Sequence, residues 1–307
     1  MIELIHSTNA YRFMKRDASP ATLVVFPDTK YLRALLKECA KAFFGEGDRR
    51  RCALIGEETF SDCAVLPKEG AKLTVDDAAR IIDESLLHPV EEDKKLFVLD
   101  AFDSASALVQ NKLLKILEEP PAGVYFLLGA TGEGAVLPTV LSRMRKIVVP
   151  PFSEEEVLRA LNRNHGGEEG LARAAAASGG VYSLAEELLS GGDNFRIAER
   201  LFEGNDLEKL CREAEKIKDR NALFAALALT ARDLLFYRTG QGRFASLKNE
   251  TLKRLAETYP EGALVASARL IQNARRETDF NASLRQALYT LGLKIREEKT
   301  RWQKLSQ

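Results

Sequence analysis

The sequence lacks the residue patterns that mark most metal proteins. Its 307 residues contain four cysteines, and none of them forms a C-x-x-C pair. The three histidines are scattered, so the usual zinc-ligand spacings are absent. We predict incidental thiols in a reducing compartment and no metal site. The alternative is a two-cysteine fragment of a metal site, formed by Cys52 and Cys63.

Long apolar runs and an excess of one charge are also missing. No run approaches the ~18–20 apolar residues of a membrane-spanning helix, and the first residues have no signal-peptide core. Lys and Arg total 45, as do Asp and Glu, so a globally basic nucleic-acid binder is not expected. Three arginines at residues 49–51 could contact DNA, or they form a solvated loop. We expect a cytoplasmic protein without membrane contact.

The first half of the chain alternates between short apolar runs and helical patterns. Runs at residues 22–26, 95–100, 124–128 and 147–149 predict strands, and two brief apolar stretches, residues 52–55 and 63–66, are each a candidate strand. Helices are predicted at 31–44, at 104–119, and from a capping box at Thr74 and Asp77 to about residue 87. Apolar strands separated by helices predict a parallel α/β domain over residues 1–150.

The pattern becomes entirely helical after residue 150. Ser153 and Glu156 form a capping box, and short helices follow, separated by glycine pairs at 166–167, 179–180 and 191–192. We predict a small helical domain over residues 151–192. Residues 193–307 show only helical periodicity, which predicts an all-α domain.

The junction between the first strand and the first predicted helix lacks a phosphate-binding loop. Such a loop reads G-x-x-x-x-G-K-[ST], and its backbone N–H groups surround phosphates. Here Phe26 is followed by Pro27, Asp28, Thr29 and Lys30, with no glycine. Pro27 has no N–H to donate, and Asp28 would cap the helix with a negative charge. We therefore predict a degenerate loop that binds no ATP.

The strand at residues 95–100 resembles a Walker B strand that has kept only one acid. Asp100 ends the strand, and Ala101 stands where an ATPase carries a second acid that polarises the attacking water. Alanine has no group that can do this. We predict that the chain is not an enzyme on its own, and that Asp100 caps the turn that follows it.

Three strings together resemble the clamp-loader branch of the AAA+ proteins. Residues 100–106 and 113–121 read DAFDSAS and LLKILEEPP, and residues 137–144 read LPTVLSRM, close to that family's L-P-T-I-x-S-R-C. Residues 281–296 look like its last collar helix. The resemblance implies an AAA+ parallel-sheet domain, a small helical domain and an all-α collar. Keeping the S-R pair without a phosphate loop is the pattern of the delta-prime subunits of bacterial DNA polymerase III.

The sequence also departs from that family in several places. Met144 replaces the cysteine of S-R-C, and the four-cysteine zinc module of many members is absent, so no zinc is predicted. Residues 178–183 offer no arginine to sense a nucleotide. Thr131 matches a polar sensor position, but without a nucleotide it has nothing to sense.

The resemblance makes Arg143 the candidate functional residue. It implies a trans-acting arginine finger that enters the ATP site of a neighbouring subunit, with Ser142 orienting it or capping the next turn. The alternative is a surface ion pair. The implied partners are a gamma/tau-type ATPase subunit and a delta subunit, with the sliding clamp and primed DNA reached through the assembly. Rival hypotheses are a self-sufficient AAA+ ATPase and a gamma/tau-related accessory factor in DNA repair or recombination.

Overall fold

The structure, a computed structural model, describes residues 1–166, 170–190, 193–217, 220–247, 250–279 and 283–305. It divides the chain into two compact units, Met1–Pro151 and Phe152–Gln307. The further boundary expected near Gly192 lies outside the described residues and stays a prediction.

The first unit alternates between helices and strands from its start. In chain order the elements are α1 (Ile2–His6), α2 (Asn9–Arg16), β1 (Ala21–Val25), α3 (Thr29–Phe44), α4 (Arg49–Gly56), β2 (Cys63–Leu66), α5 (Val75–Ser85), β3 (Lys95–Leu99), α6 (Ala107–Glu118), β4 (Val124–Ala130), α7 (Pro138–Leu141) and β5 (Arg145–Val148). A short 3₁₀ turn, Phe102–Ser104, separates β3 from α6. The two helices before β1 were not predicted from the sequence.

The described strands form one five-stranded sheet in which every pairing is parallel. The strand order is β2-β3-β4-β1-β5, with β4 and β1 in the middle. Leu128 of β4 lies opposite Leu23 of β1 on one side and Leu99 of β3 on the other, and all three are fully buried. The predicted parallel α/β fold is confirmed, because apolar strands of this kind need both sheet faces covered.

Helices cover the sheet with the apolar faces that their spacing predicts. One face of α3 is buried, as expected, through Leu32, Leu35, Leu36, Cys39, Ala40 and Phe43. It packs closely on β4 at Gly129, where an added Cβ would lie 2.5 Å from Leu36 Cδ1. The capping box of Thr74 and Asp77 is present at the start of α5.

The prediction of a strand at residues 52–55 is wrong. These residues belong to α4, which Asp48 caps by accepting a hydrogen bond from the Arg51 backbone N–H. The three arginines therefore begin a helix rather than forming a loop. Arg50 pairs with Glu91 at 2.7 Å, and Arg51 pairs with Glu92. An apolar run of four residues is too short to distinguish a strand from a helix turn.

The second unit is helical throughout its described residues, as expected from its periodicity. Its elements are α8 (Glu154–Asn164), α9 (Leu171–Ala177), α10 (Tyr182–Ser190), α11 (Asp193–Glu203), α12 (Leu207–Ala214), α13 (Arg220–Arg238), α14 (Glu250–Glu257), α15 (Glu261–Asp279) and α16 (Leu284–Leu305). The capping box of Ser153 and Glu156 opens α8. Among the described helices, none is both long and apolar enough to cross a bilayer.

Candidate functional site

The connection between β1 and α3 is short and ends in a capped helix start. Only three residues separate the two elements, and the backbone N–H of Phe26 donates to Ala130 O at 2.9 Å. Asp28 is buried at the N-terminus of α3, where its carboxylate accepts a hydrogen bond from the Tyr31 N–H at 3.2 Å. The carboxylate thus occupies the position that a phosphate would need, and its charge opposes an anion there.

The two other residues of this turn, Thr29 and Lys30, lie exposed in the first turn of α3. The Lys30 ammonium lies 5.3 Å from the centroid of the Tyr31 ring. The predicted degenerate loop therefore has a specific local structure, which is a capped helix start.

Asp100 pairs with a helix rather than with the turn that follows it. Its Oδ2 accepts a hydrogen bond from Arg33 Nη1 of α3 at 3.1 Å, so the turn-capping role expected for Asp100 is wrong. Ala101 adopts a left-handed conformation with φ 47° and ψ 44° and leads into the 3₁₀ turn. The sequence gives no sign of this pairing, because Arg33 and Asp100 are 67 residues apart.

Arg33 joins three parts of the first unit through one buried guanidinium. Its Nε and Nη2 donate to the two carboxylate oxygens of Glu58 at 2.8 and 2.6 Å, and its Nη1 also donates to Pro67 O. Lys37 Nζ lies 3.3 Å from the same Glu58 carboxylate. The bond from Arg33 is the main reason why the pKa of Glu58 is lowered. Burial opposes the charge of Arg33, but its bonds to Glu58 and Asp100 outweigh burial and raise its pKa.

Thr131, which the resemblance compares with a polar sensor residue, is hydrogen-bonded to the neighbouring loop. Its Oγ1 and its backbone N–H donate to Asp103 Oδ2 at 2.6 and 3.0 Å. The hydroxyl thus connects the end of β4 to the segment after β3.

Ser142 and Arg143 project from a short, firmly anchored segment. Val140 and Met144 are buried in the core of the first unit, so the methionine that replaces the expected cysteine is a packing residue. Ser142 and Arg143 lie between them and are exposed. Ser142 Oγ donates to Thr139 O at 3.2 Å and accepts from Arg143 Nη1 at 3.3 Å, so it contacts the candidate arginine directly.

Arg143 is held by two further groups of its own chain. Its Nη1 donates to Thr139 O at 2.8 Å, and its Nε lies 2.9 Å from Glu118 Oε2 at the end of α6. The surface ion pair considered from the sequence is therefore present. It brings together two of the family-like strings, residues 113–121 and 137–144.

Gln110 is a site-building residue that sequence reasoning missed. Its side chain is 1% exposed, and its amide nitrogen donates to Ala105 O and Ala135 O at 3.1 and 2.9 Å. Its Oε1 accepts from the Leu137 N–H at 2.8 Å. Gln110 thus fixes the entry to α7. The signal in the sequence was a polar residue on the apolar stripe of α6, beside Val109 and Leu113.

The cysteines do not form a recognisable centre. Within the described ranges no three His, Cys, Asp or Glu side chains are placed to hold a metal ion. Cys63 is buried in β2, and burial raises its pKa to about 12, whereas Cys52 in α4 is half-buried. That the chain needs no zinc stays a prediction.

A solved structure with the same architecture supports the fold class. A DNA polymerase III gamma subunit-related protein from Thermotoga maritima matches with a TM-score of 0.50, covering 94% of this chain and 98% of that one. The sequence identity is 18%, so this likeness concerns the fold alone. The parallel sheet followed by an all-helical part resembles the AAA+ fold of clamp-loader proteins, as expected.

Sequence comparisons find similarity over part of this chain. Residues 13–153 match the model of the family described as "DNA polymerase III, delta subunit". A DNA polymerase III gamma subunit from Buchnera aphidicola is 31% identical over 114 residues, which are 36% of this chain and 32% of that protein. A gamma/tau subunit from Mycobacterium tuberculosis H37Rv is 30% identical over 95 residues, 30% of this chain and 16% of that protein. The chain thus spans about a third or less of the length of these relatives, and part of it is similar in sequence to clamp-loader subunits of DNA polymerase III.

Proposed function

We propose that this chain is a delta-prime-type subunit of a DNA polymerase III clamp loader that does not hydrolyse ATP. It joins a gamma/tau-type ATPase subunit and a delta subunit, and the assembly loads the sliding clamp onto primed DNA. The observation that carries the proposal is the buried Asp28 carboxylate at the N-terminus of α3, in the place of a phosphate cradle. The Asp100–Arg33 pair supports it, because a guanidinium already neutralises the remaining Walker B acid.

The proposed contribution to catalysis is a cation supplied to a neighbour. Arg143 is permanently charged, and its planar guanidinium suits phosphate oxygens. It lies exposed on a segment that Val140 and Met144 anchor in the core. In the assembly it would contact the nucleotide of the ATPase subunit and stabilise the charge on the transferred phosphoryl group. The chain itself would perform no bond-breaking step.

Nucleotide binding by the chain alone tests the first half of the proposal. Isothermal calorimetry of the full chain with Mg-ATP should give no heat of specific binding, while the gamma/tau subunit measured in parallel should bind. A micromolar dissociation constant for this chain would refute the proposal and favour a self-sufficient ATPase.

Reconstitution of the assembly tests the second half of the proposal, which concerns the partners and Arg143. The chain should form a complex with gamma/tau and delta subunits in size-exclusion chromatography, and failure to do so counts against the assignment. Arg143→Ala should leave assembly unchanged and lower DNA-stimulated ATP turnover by at least about 10-fold, since arginine fingers contribute roughly 10³–10⁵ in the best-studied cases. The charge-matched control is Arg145→Ala, at an exposed arginine of β5. Unchanged turnover in Arg143→Ala would remove the finger assignment.

A further inference from the structure

The guanidinium of Arg143 is already oriented by its own chain. An arginine has five N–H donors, and here the hydrogen bonds to its own chain are made by Nη1 while Nε forms an ion pair. Nε pairs with Glu118 at 2.9 Å, and Nη1 donates to Thr139 O at 2.8 Å and to Ser142 Oγ at 3.3 Å. For the part of the chain that the structure describes, no bond is made by Nη2. Nη2 therefore keeps two N–H donors that none of these contacts uses.

Two of the groups that contact the guanidinium, those of Glu118 and Thr139, belong to separate elements of the first unit. Glu118 is the last residue of α6, which ends there because Pro120 and Pro121 cannot continue the helix. Thr139 lies in α7, which begins at Pro138. The carboxylate and the carbonyl therefore approach Arg143 from two different elements of the first unit.

We infer that Glu118 is a positioning residue for Arg143, a role that deepens the function proposed above and rests on it. A free arginine side chain loses rotamer freedom when it docks on a phosphate, and that loss opposes binding. Glu118 reduces this loss because it holds Nε and leaves Nη2 to meet the phosphoryl oxygens of the neighbouring nucleotide. Glu118 does not touch the nucleotide and acts only through Arg143.

The expected size of the effect of Glu118 follows from the solvent exposure of its ion pair with Arg143. The side chains of Arg143 and Glu118 are 35% and 52% exposed, so their pair is a surface ion pair. Pairs of this kind change an equilibrium by about 2- to 5-fold. Salt screens them, so the advantage should diminish as the ionic strength rises.

The test compares Glu118→Gln with Glu119→Gln in the complete assembly. The two residues are adjacent and exposed, but the structure gives the Glu119 side chain no contact with Arg143. Glu118→Gln should lower the kcat of DNA-stimulated ATP turnover about 2- to 5-fold, without changing the chain concentration that gives half-maximal stimulation. Glu119→Gln should match the unmodified protein, and the deficit of Glu118→Gln should shrink at high salt.

A double variant separates positioning from a general structural role. In an Arg143→Ala background, Glu118→Gln should have no further effect, since Glu118 acts only through that arginine. The inference is overturned if Glu118→Gln leaves kcat unchanged or raises it, or if its effect persists without Arg143. If Arg143→Ala itself has no effect, the finger assignment fails and the inference, which rests on it, fails as well. If Glu118→Gln lowers kcat only when Arg143 is present, the result supports both the finger assignment of Arg143 and the positioning role of Glu118.

Discussion

Replacing Arg33 with methionine should strongly destabilise the first unit. The variant keeps the length of the apolar stem but removes the cation that Glu58 and Asp100 share. The guanidinium of Arg33 is largely buried, with its side chain 10% exposed, so no water can fully replace it. Two carboxylates would then face each other across the end of β3 without their common partner.

The expected loss is about 2–4 kcal/mol. Breaking a fully buried ion pair by removing one partner costs about 3–5 kcal/mol. Glu58 and Asp100 retain 24% and 17% side-chain exposure, so solvent recovers part of that cost. For a unit of this size the loss corresponds to a fall in Tm of about 5–15 °C. Lys37→Met is the matched control: its ammonium lies 3.3 Å from the same Glu58, and the expected loss is about 1 kcal/mol or less.

The assay must report on the first unit alone, because a two-unit chain need not unfold in one step. Trp302, the single tryptophan, lies in the second unit, so its fluorescence is unsuitable. Hydrogen exchange of the β3 amides, Lys95–Leu99, measures the opening free energy where Asp100 ends the strand. Equal protection in Arg33→Met and Lys37→Met would refute the reasoning that the guanidinium links these elements.

The pH dependence of the Arg33→Met effect provides an independent check. Arg33 lowers the pKa of Glu58 below its ordinary value of 4.5, so the folded state favours the ionised carboxylate. That stabilisation is complete above pH 4.5 and is lost as the pH falls through the lowered pKa. The stability difference between the unmodified chain and Arg33→Met should therefore be constant near neutral pH and shrink below about pH 4.5. A difference that grows on acidification contradicts the assignment.

Two further predictions concern buried groups. Gln110→Leu leaves the Leu137 N–H and the Ala135 carbonyl without their partner, and it should cost about 2–4 kcal/mol in urea unfolding; a change within experimental error would show that Gln110 does not hold this segment. In native protein at pH 8, Ellman's reagent should react rapidly with Cys52 only, because the other thiols are buried and burial raises the pKa of Cys63 to about 12 and of Cys211 to about 11. Rapid reaction of more than one thiol in the native protein, or fewer than four reactive thiols in denaturant, would contradict this prediction.

Local patterns in the sequence were sufficient for most of the first unit. Short apolar runs predicted β1, β3 and β4, because strands buried on both faces have no polar alternation to obscure them. In β5, at the edge of the sheet, only Ile147 is buried. Capping residues predicted the starts of α5 and α8, since a cap needs only residues three apart. The same local reasoning failed at residues 52–55, where four apolar residues are compatible with either element.

The candidate site was predictable only where its chemistry is local. The absence of glycine and the presence of Pro27 and Asp28 determine the turn after β1, because a capped helix start is built from adjacent residues. The exposure of Arg143 was implied only by the resemblance to a family. Which groups hold its guanidinium was not visible in the spacing of residues.

Only the tertiary structure decided the partners of the charged and polar side chains. Arg33 meets Asp100, Gln110 meets Leu137, and Arg143 meets Glu118 across separations of 67, 27 and 25 residues. Periodicity describes which face of an element is apolar, but it says nothing about how far one element is shifted along another. That shift arises from packing around the whole sheet, and it determines which carboxylate lies within 3 Å of which cation.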